Sequence, residues 1–144
     1  MGPTVVMLVD DEVPFVETMT KRLGVRDLTV LTAFSGPEAL EKLAKERNVD
    51  VIILDVKMPG MDGIETLREI KARYPLVEVV MLTGHGTIET AIEGMKLGAF
   101  DYLLKPTNID QLMAKLQEAR SKKKAHEEKI MQARLQEISL RRGS

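Results

Sequence analysis

Four charged side chains in this 144-residue chain stand where apolar runs end: Asp10 and Asp11 after Val5–Val9, Asp55 after the run Val49–Leu54, and Lys105 after Phe100–Leu104. Carboxylates are hard oxygen donors, and two or three of them with a backbone carbonyl and water suit a hard divalent cation such as Mg²⁺. Gathered like charges repel, so such a group needs a cation to offset it, either a metal or the ammonium of Lys105. Three carboxylates facing one ammonium also provide for a phosphoryl group. Thr83 and Gly84 follow a fourth apolar run, Val77–Leu82, where a hydroxyl can donate to a phosphoryl oxygen and a missing side chain leaves room for it. Singly, each residue has an ordinary explanation: acids favour a helix N-terminus, an aspartate turns a loop, and most lysines face water.

These residues meet only if the runs are parallel strands of one sheet, whose carboxyl ends share the edge where open α/β folds place their ligands. The periodicity supports that arrangement. Val5–Val9 is a continuous apolar run, followed by a helical pattern starting near Pro14, a first-turn position where the missing N–H costs nothing. Leu28–Ala33 reads as a second strand, and Ser35 with Glu38 as the capping box of a helix running to about Glu46. Val49–Leu54 reads as a central strand covered on both sides. After a loop rich in Pro and Gly, Asp62 with Glu65 caps a helix whose Ile64, Leu67 and Ile70 face inward. Val77–Leu82 is a fourth strand, a helix from Gly86 or Thr87 ends at Gly98, Phe100–Leu104 is a fifth strand, and Asn108 with Gln111 opens the last helix. Strand and helix alternating with short loops give a parallel sheet with helices on both faces and leave no room for a second compact domain.

Composition narrows the classes. There is no cysteine, which excludes disulfides and thiolate metal sites and agrees with a cytoplasmic location. No apolar stretch is long enough to span a bilayer, and the N-terminus lacks the features of a secretory signal. Gly84-His85-Gly86 lacks the lysine and length of a phosphate-cradling loop, and neither His85, placed near the mouth of the site, nor His126 has a histidine partner at metal-ligand spacing. Residues 1–118 carry 13 Lys and Arg against 19 Asp and Glu, whereas residues 119–144 carry 8 against 3. A basic tail suits nucleic acid or acidic lipid, but interleaved Glu127, Glu128 and Glu137 and the lack of aromatics favour a solvated helix face. Met131, Leu135 and Ile138 recur at heptad-like spacing, leaving a frayed helix, a dimer seam and the start of a linker all open for this segment.

Over about Thr4–Lys115 the chain resembles the receiver domain of two-component response regulators, in Leu8-Val9-Asp10-Asp11-Glu12, the segment from Asp55 to Gly63, Leu82-Thr83-Gly84 and Lys105-Pro106. The resemblance implies an α/β fold, a (βα)5 doubly wound parallel sheet in flavodoxin-like order 2-1-3-4-5 with an extended C-terminal helix. It implies a receiver domain over residues 4–118 and a basic helical extension or truncated linker over 119–144. It further implies that Asp55 takes a phosphoryl group from a sensor histidine kinase, that Asp10, Asp11, Asp55 and the Lys57 carbonyl hold Mg²⁺, and that Lys105 pairs with the phosphoryl group, with Pro106 after a cis peptide. Thr83 and Tyr102 match the switch hydroxyl and the switch aromatic; read without the family, Tyr102 is an edge-strand ring whose hydroxyl reaches water. The implied protein catalyses its own modification and is not a turnover enzyme. Its implied output surface is the face of the fourth helix, fifth strand and fifth helix, and either that face or the C-terminal helix would serve a homodimer.

Leu82-Thr83-Gly84-His85-Gly86 with a basic helical tail is similar to receivers of nitrogen-regulatory, sigma-54-activating transcription regulators, which normally continue into an ATPase and a DNA-binding domain; neither is in this chain. Three other readings share parts of the evidence: a Mg²⁺-dependent phosphohydrolase, an FMN carrier of the same fold class, and a dimerisation module acting through the C-terminal helix.

Overall fold

The computed structural model describes residues 2–143. Five strands, β1 (Thr4–Val9), β2 (Leu28–Ala33), β3 (Val51–Leu54), β4 (Glu78–Thr83) and β5 (Asp101–Leu104), alternate with five helices, α1 (Val13–Gly24), α2 (Gly36–Lys45), α3 (Gly63–Arg73), α4 (Ile88–Lys96) and α5 (Ile109–Gly143). The strands form one sheet in the order β2-β1-β3-β4-β5, and every neighbouring pair is parallel. The expected fold class and strand order therefore hold.

Strand alternation divides the core in two, because successive side chains point to opposite faces. Val5, Met7, Val9, Ile52, Leu54, Val79 and Met81 pack with Ala39 and Leu43 of α2 and Ile64, Leu67 and Ile70 of α3. Val6, Leu8, Val51, Ile53, Val80 and Leu82 pack with Val16, Met19 and Leu23 of α1 and Leu112, Leu116 and Ala119 of α5. The three inner strands are thus apolar on both faces, and each residue fully buried there contributes about 1.5–3 kcal/mol. The flanking strands β2 and β5 are only partly covered, and Leu104 at the end of β5 is exposed.

The start of β3 differs from the sequence reading. Asp50 interrupts the run from Val49, so β3 begins at Val51. Asp50 N–H donates to the Val5 carbonyl at 2.9 Å, and its Oδ2 accepts from Val5 N–H at 2.8 Å. Capping also differs. Ser35 Oγ accepts from Glu38 N–H, but the Glu38 carboxylate reaches back to Phe34 N–H, one residue early. Asp62 Oδ1 caps Glu65 N–H as expected. A full reciprocal box forms instead at Thr87 and Thr90, at the start of α4.

At the edge of the sheet opposite the strand exits, acids meet bases from α3 and α5. Glu78, 1% exposed, lies 3.8 Å from Lys71 and 3.6 Å from Lys122, and Asp50 lies 3.3 Å from Lys123. Burial pulls the Lys71 ammonium below its ordinary pKa against the opposing pull of Glu78. Removing one partner of such a buried pair would leave an uncompensated charge. Past this clamp α5 continues as the same helix, its 35 residues spanning about 52 Å at 1.5 Å per residue. Met131, Leu135 and Ile138 lie exposed along it. No helix among the described residues is long and apolar enough to cross a membrane.

Candidate functional site

The parallel ladder extends one residue past β1, β3 and β5 and so fixes the residues that follow. Asp10 N–H donates to the Ala33 carbonyl at 3.1 Å, Asp55 N–H to Val9 at 3.0 Å, and Lys105 N–H to Thr83 at 2.8 Å. Asp10, Asp55, Thr83 and Lys105 are thereby held on one edge. Carboxylate oxygens of Asp10, Asp11 and Asp55 lie within 4.8 Å of one another. Asp10 and Asp55 are 1% and 2% exposed, so their repulsion is poorly screened by water, while Asp11 is the more open of the three.

Lys105 Nζ donates to Asp10 Oδ2 at 2.7 Å, lies 3.6 Å from Glu12, and sits 3.9 Å above the Phe15 ring. Burial disfavours its charge, yet Asp10, Asp55 and Glu12 outweigh burial and hold its pKa above the ordinary value. Burial also raises the Asp10 carboxyl, partly countered by Lys105 and the Glu12 N–H, with Asp55 adding to the rise. Asp55 Oδ1 accepts from its neighbour Val56 N–H at 2.8 Å. The ammonium of Lys105 lies beside this cluster, and the donors of Asp10, Asp11 and Asp55 are all oxygen. That set fits a hard divalent cation.

Thr83 is fully buried, and its Oγ1 accepts from His85 N–H at 3.1 Å. The Lys105–Pro106 peptide is cis, as expected. His85 does line the mouth: with Asp11, Glu12, Lys57, Met58 and Pro59 it bounds an open cleft of about 410 Å³. Tyr102 departs from the family-free reading, because its hydroxyl lies 2.8 Å from Thr90 Oγ1 on α4 instead of ending in water.

Sequence reasoning missed Glu12 and Phe15 as partners of Lys105; the signal was their place just after the acidic pair, at the entry of α1. It also missed the role of Gly63. Its N–H donates to the Val56 carbonyl at 2.7 Å, and a Cβ there would overlap the Asp55 carbonyl oxygen and stand 2.7 Å from Val56 Cα. The first turn of α3 therefore presses on the backbone that carries Asp55. Gly84 has no such demand, since a Cβ would meet nothing nearer than Lys105 Cδ at 3.9 Å.

An open parallel sheet with this order, carrying an acidic cluster and a lysine at its strand exits, defines a receiver-type module. Residues 6–117 match the response regulator receiver domain, and the chain belongs to that family. It is 41% identical over 114 residues to the transcriptional regulatory protein ZraR of Escherichia coli O157:H7, covering 79% of this chain and 26% of that protein. It is 38% identical over 115 residues to the DNA-binding transcriptional regulator NtrC of Escherichia coli K12, covering 80% of this chain and 24% of that protein. The chain thus spans about a quarter of the length of these relatives, and the similarity to the nitrogen-regulatory type holds. A response regulator receiver domain protein from Clostridium thermocellum superposes with a TM-score of 0.81 at 37% identity, covering 85% of this chain and 98% of that one. Receiver domains hold Mg²⁺ in an acidic pocket, and in this chain the carboxylates of Asp10, Asp11 and Asp55 cluster.

Proposed function

We propose that residues 4–118 form a cytoplasmic phosphoacceptor unit in which Asp55 takes a phosphoryl group from phosphohistidine on a sensor histidine kinase, and that residues 119–144 form a helical extension. The observation that carries this reading is a buried Asp55, fixed by the sheet ladder within 4.8 Å of Asp10 and Asp11 carboxylates and opposed by Lys105. One Asp55 oxygen attacks phosphorus; a P–O bond forms as the P–N bond breaks, and the electron pair stays with the imidazole, which takes up a proton and leaves neutral.

Charge on the three equatorial oxygens is the obstacle to that attack, so position and electrostatics supply the rate. Asp10, Asp11, Asp55 and the Lys57 carbonyl would hold Mg²⁺, which when bound supplies positive charge to the phosphoryl oxygens. Lys105 exchanges its contact with Asp10 for the phosphoryl group, Thr83 donates its hydroxyl, and backbone N–H groups after Asp55 complete the cradle. The product is the modified protein itself, so the chain is not a turnover enzyme. Acetyl phosphate is expected to add one phosphoryl mass, mapped to the peptide containing Asp55. Sustained phosphate release with no retained label would favour a phosphohydrolase instead.

Asp11→Asn removes one ligand and one charge from the more open side of the pocket. Isothermal titration should show Mg²⁺ affinity weakened about tenfold or more, at least the loss that removing an outer-shell partner of a metal ligand causes; unchanged affinity would take Asp11 out of the ligand set.

Phosphorylation adds charge and strong acceptors. Thr83 moves toward the new oxygens, Tyr102 follows into the space it leaves, and the face of α4, β5 and α5 changes as the output surface. Ile88, Ile92, Met95 and Leu104 are exposed on or beside that face. A second copy of the chain pairs through the α5 stripe of Met131, Leu135 and Ile138. Sedimentation should therefore show a dimer that Leu135→Glu weakens, with beryllofluoride shifting the monomer–dimer balance. A monomer under all these conditions would assign output to a partner that reads the monomer.

A further inference from the structure

The start of α4 and the edge strand β5 are joined by hydroxyl groups. Thr90 Oγ1 accepts from Thr87 N–H at 3.0 Å and lies 3.1 Å from the Thr87 carbonyl, to which it can donate. The Tyr102 hydroxyl lies 2.8 Å from the same oxygen. A threonine hydroxyl has one proton and two lone pairs. Its inventory closes when Thr87 N–H and Tyr102 O–H donate to it and its own proton goes to the Thr87 carbonyl. Thr90 N–H in turn donates to Thr87 Oγ1 at 3.1 Å, so the tyrosine hydroxyl is a direct partner of the helix cap.

The ring is confined as well as tethered. A Cβ on Gly86 would stand 2.9 Å from the Tyr102 hydroxyl oxygen, 3.1 Å from its Cε1 and 2.7 Å from Leu104 Cδ2, and one on Gly94 would stand 3.7 Å from Cδ2. Tyr102 thus lies against two glycines, one in the β4–α4 loop and one on α4. Side chains at Gly86 larger than hydrogen would compete with the observed ring position.

We propose that Thr90 is a positioning residue that latches Tyr102 to the first turn of α4, so that displacement of the ring removes one partner of the Thr87–Thr90 box and loosens that turn. This rests on the reading of Tyr102 as the switch aromatic. The loosened turn carries Ile88, which is 77% exposed, so the latch acts on the apolar residue that leads the proposed output face.

Amide hydrogen exchange on the full chain tests this at Thr90 and Ala91, whose N–H groups donate to Thr87 Oγ1 and to the Thr87 carbonyl. Tyr102→Phe removes only the phenol oxygen and should speed exchange at these two amides about fivefold, as expected for one hydrogen bond. Thr90→Val should do the same or more, Thr90→Ser should restore the slow rate, and Gly86→Ala should reproduce the acceleration by displacing the ring. Unchanged exchange in both Tyr102→Phe and Gly86→Ala overturns the latch. Beryllofluoride provides the second arm. In the unsubstituted protein it should accelerate the same amides, with no further change in Tyr102→Phe. If the substitutions accelerate exchange but beryllofluoride does not, the latch stands and the switch role of Tyr102 is overturned.

Discussion

Asp55→Asn is expected to lose stable labelling by acetyl phosphate and Mg²⁺, at least a hundredfold below the unsubstituted chain when followed by intact mass. The amide preserves the shape of the side chain but replaces the attacking carboxylate with a group that has no negative charge to donate to phosphorus. Loss of fold would be a trivial cause, and the same variant guards against it. Three carboxylates within 4.8 Å repel one another, so removing one charge should leave stability unchanged or raise Tm by about 3 °C, the equivalent of about 1 kcal/mol in a domain of this size. A folded variant that still carries the label would move the acceptor away from Asp55.

Gly63→Ala should be the most damaging single methyl in the site. Its Cβ would overlap backbone atoms of Asp55 and Val56, and backbone cannot rotate aside as a side chain can. Overpacking of this kind costs about 3 kcal/mol, which corresponds to a fall in Tm of about 10 °C. Any folded fraction should label more slowly, because α3 can accommodate the methyl only by moving off the Asp55 loop. Gly84→Ala is the matched control: its nearest contact is 3.9 Å, and thermal melting should barely register it. Equal melting of the two variants would refute the close approach at Gly63.

The sheet was legible because β1, β3 and β4 are buried on both faces and therefore written as apolar runs, each ending in a polar residue at the same edge. Asp10, Asp11, Asp55 and Thr83 could be found by position alone for that reason, and Lys105 by its place at the end of the flanking strand β5, just before Pro106. What could not be read depends on distances between segments far apart in sequence. Asp50 hid within an apolar run because its partners, Val5 and Lys123, lie 45 and 73 residues away. Gly63 looked like any residue after a helix cap until the loop it presses on was placed beside it. Ser35 and Glu38 have box spacing, yet the carboxylate bonds Phe34, whereas Thr87 and Thr90 close their box with a hydroxyl. Read without the family, the Tyr102 hydroxyl goes to water, because period-two alternation gives the side of the sheet and not what an adjacent helix offers there.

The salt links joining Glu78 and Asp50 to Lys122 and Lys123 act on α5 as a key acts on a shaft. They set its azimuth where it leaves the sheet, and Met131 follows roughly two turns later. An extra residue inserted between Lys123 and Met131 would swing the stripe by about 100° while leaving its composition untouched. The compass bearing of that distal apolar strip is therefore dictated at the far rim of the sheet, by acids that take no part in phosphoryl chemistry.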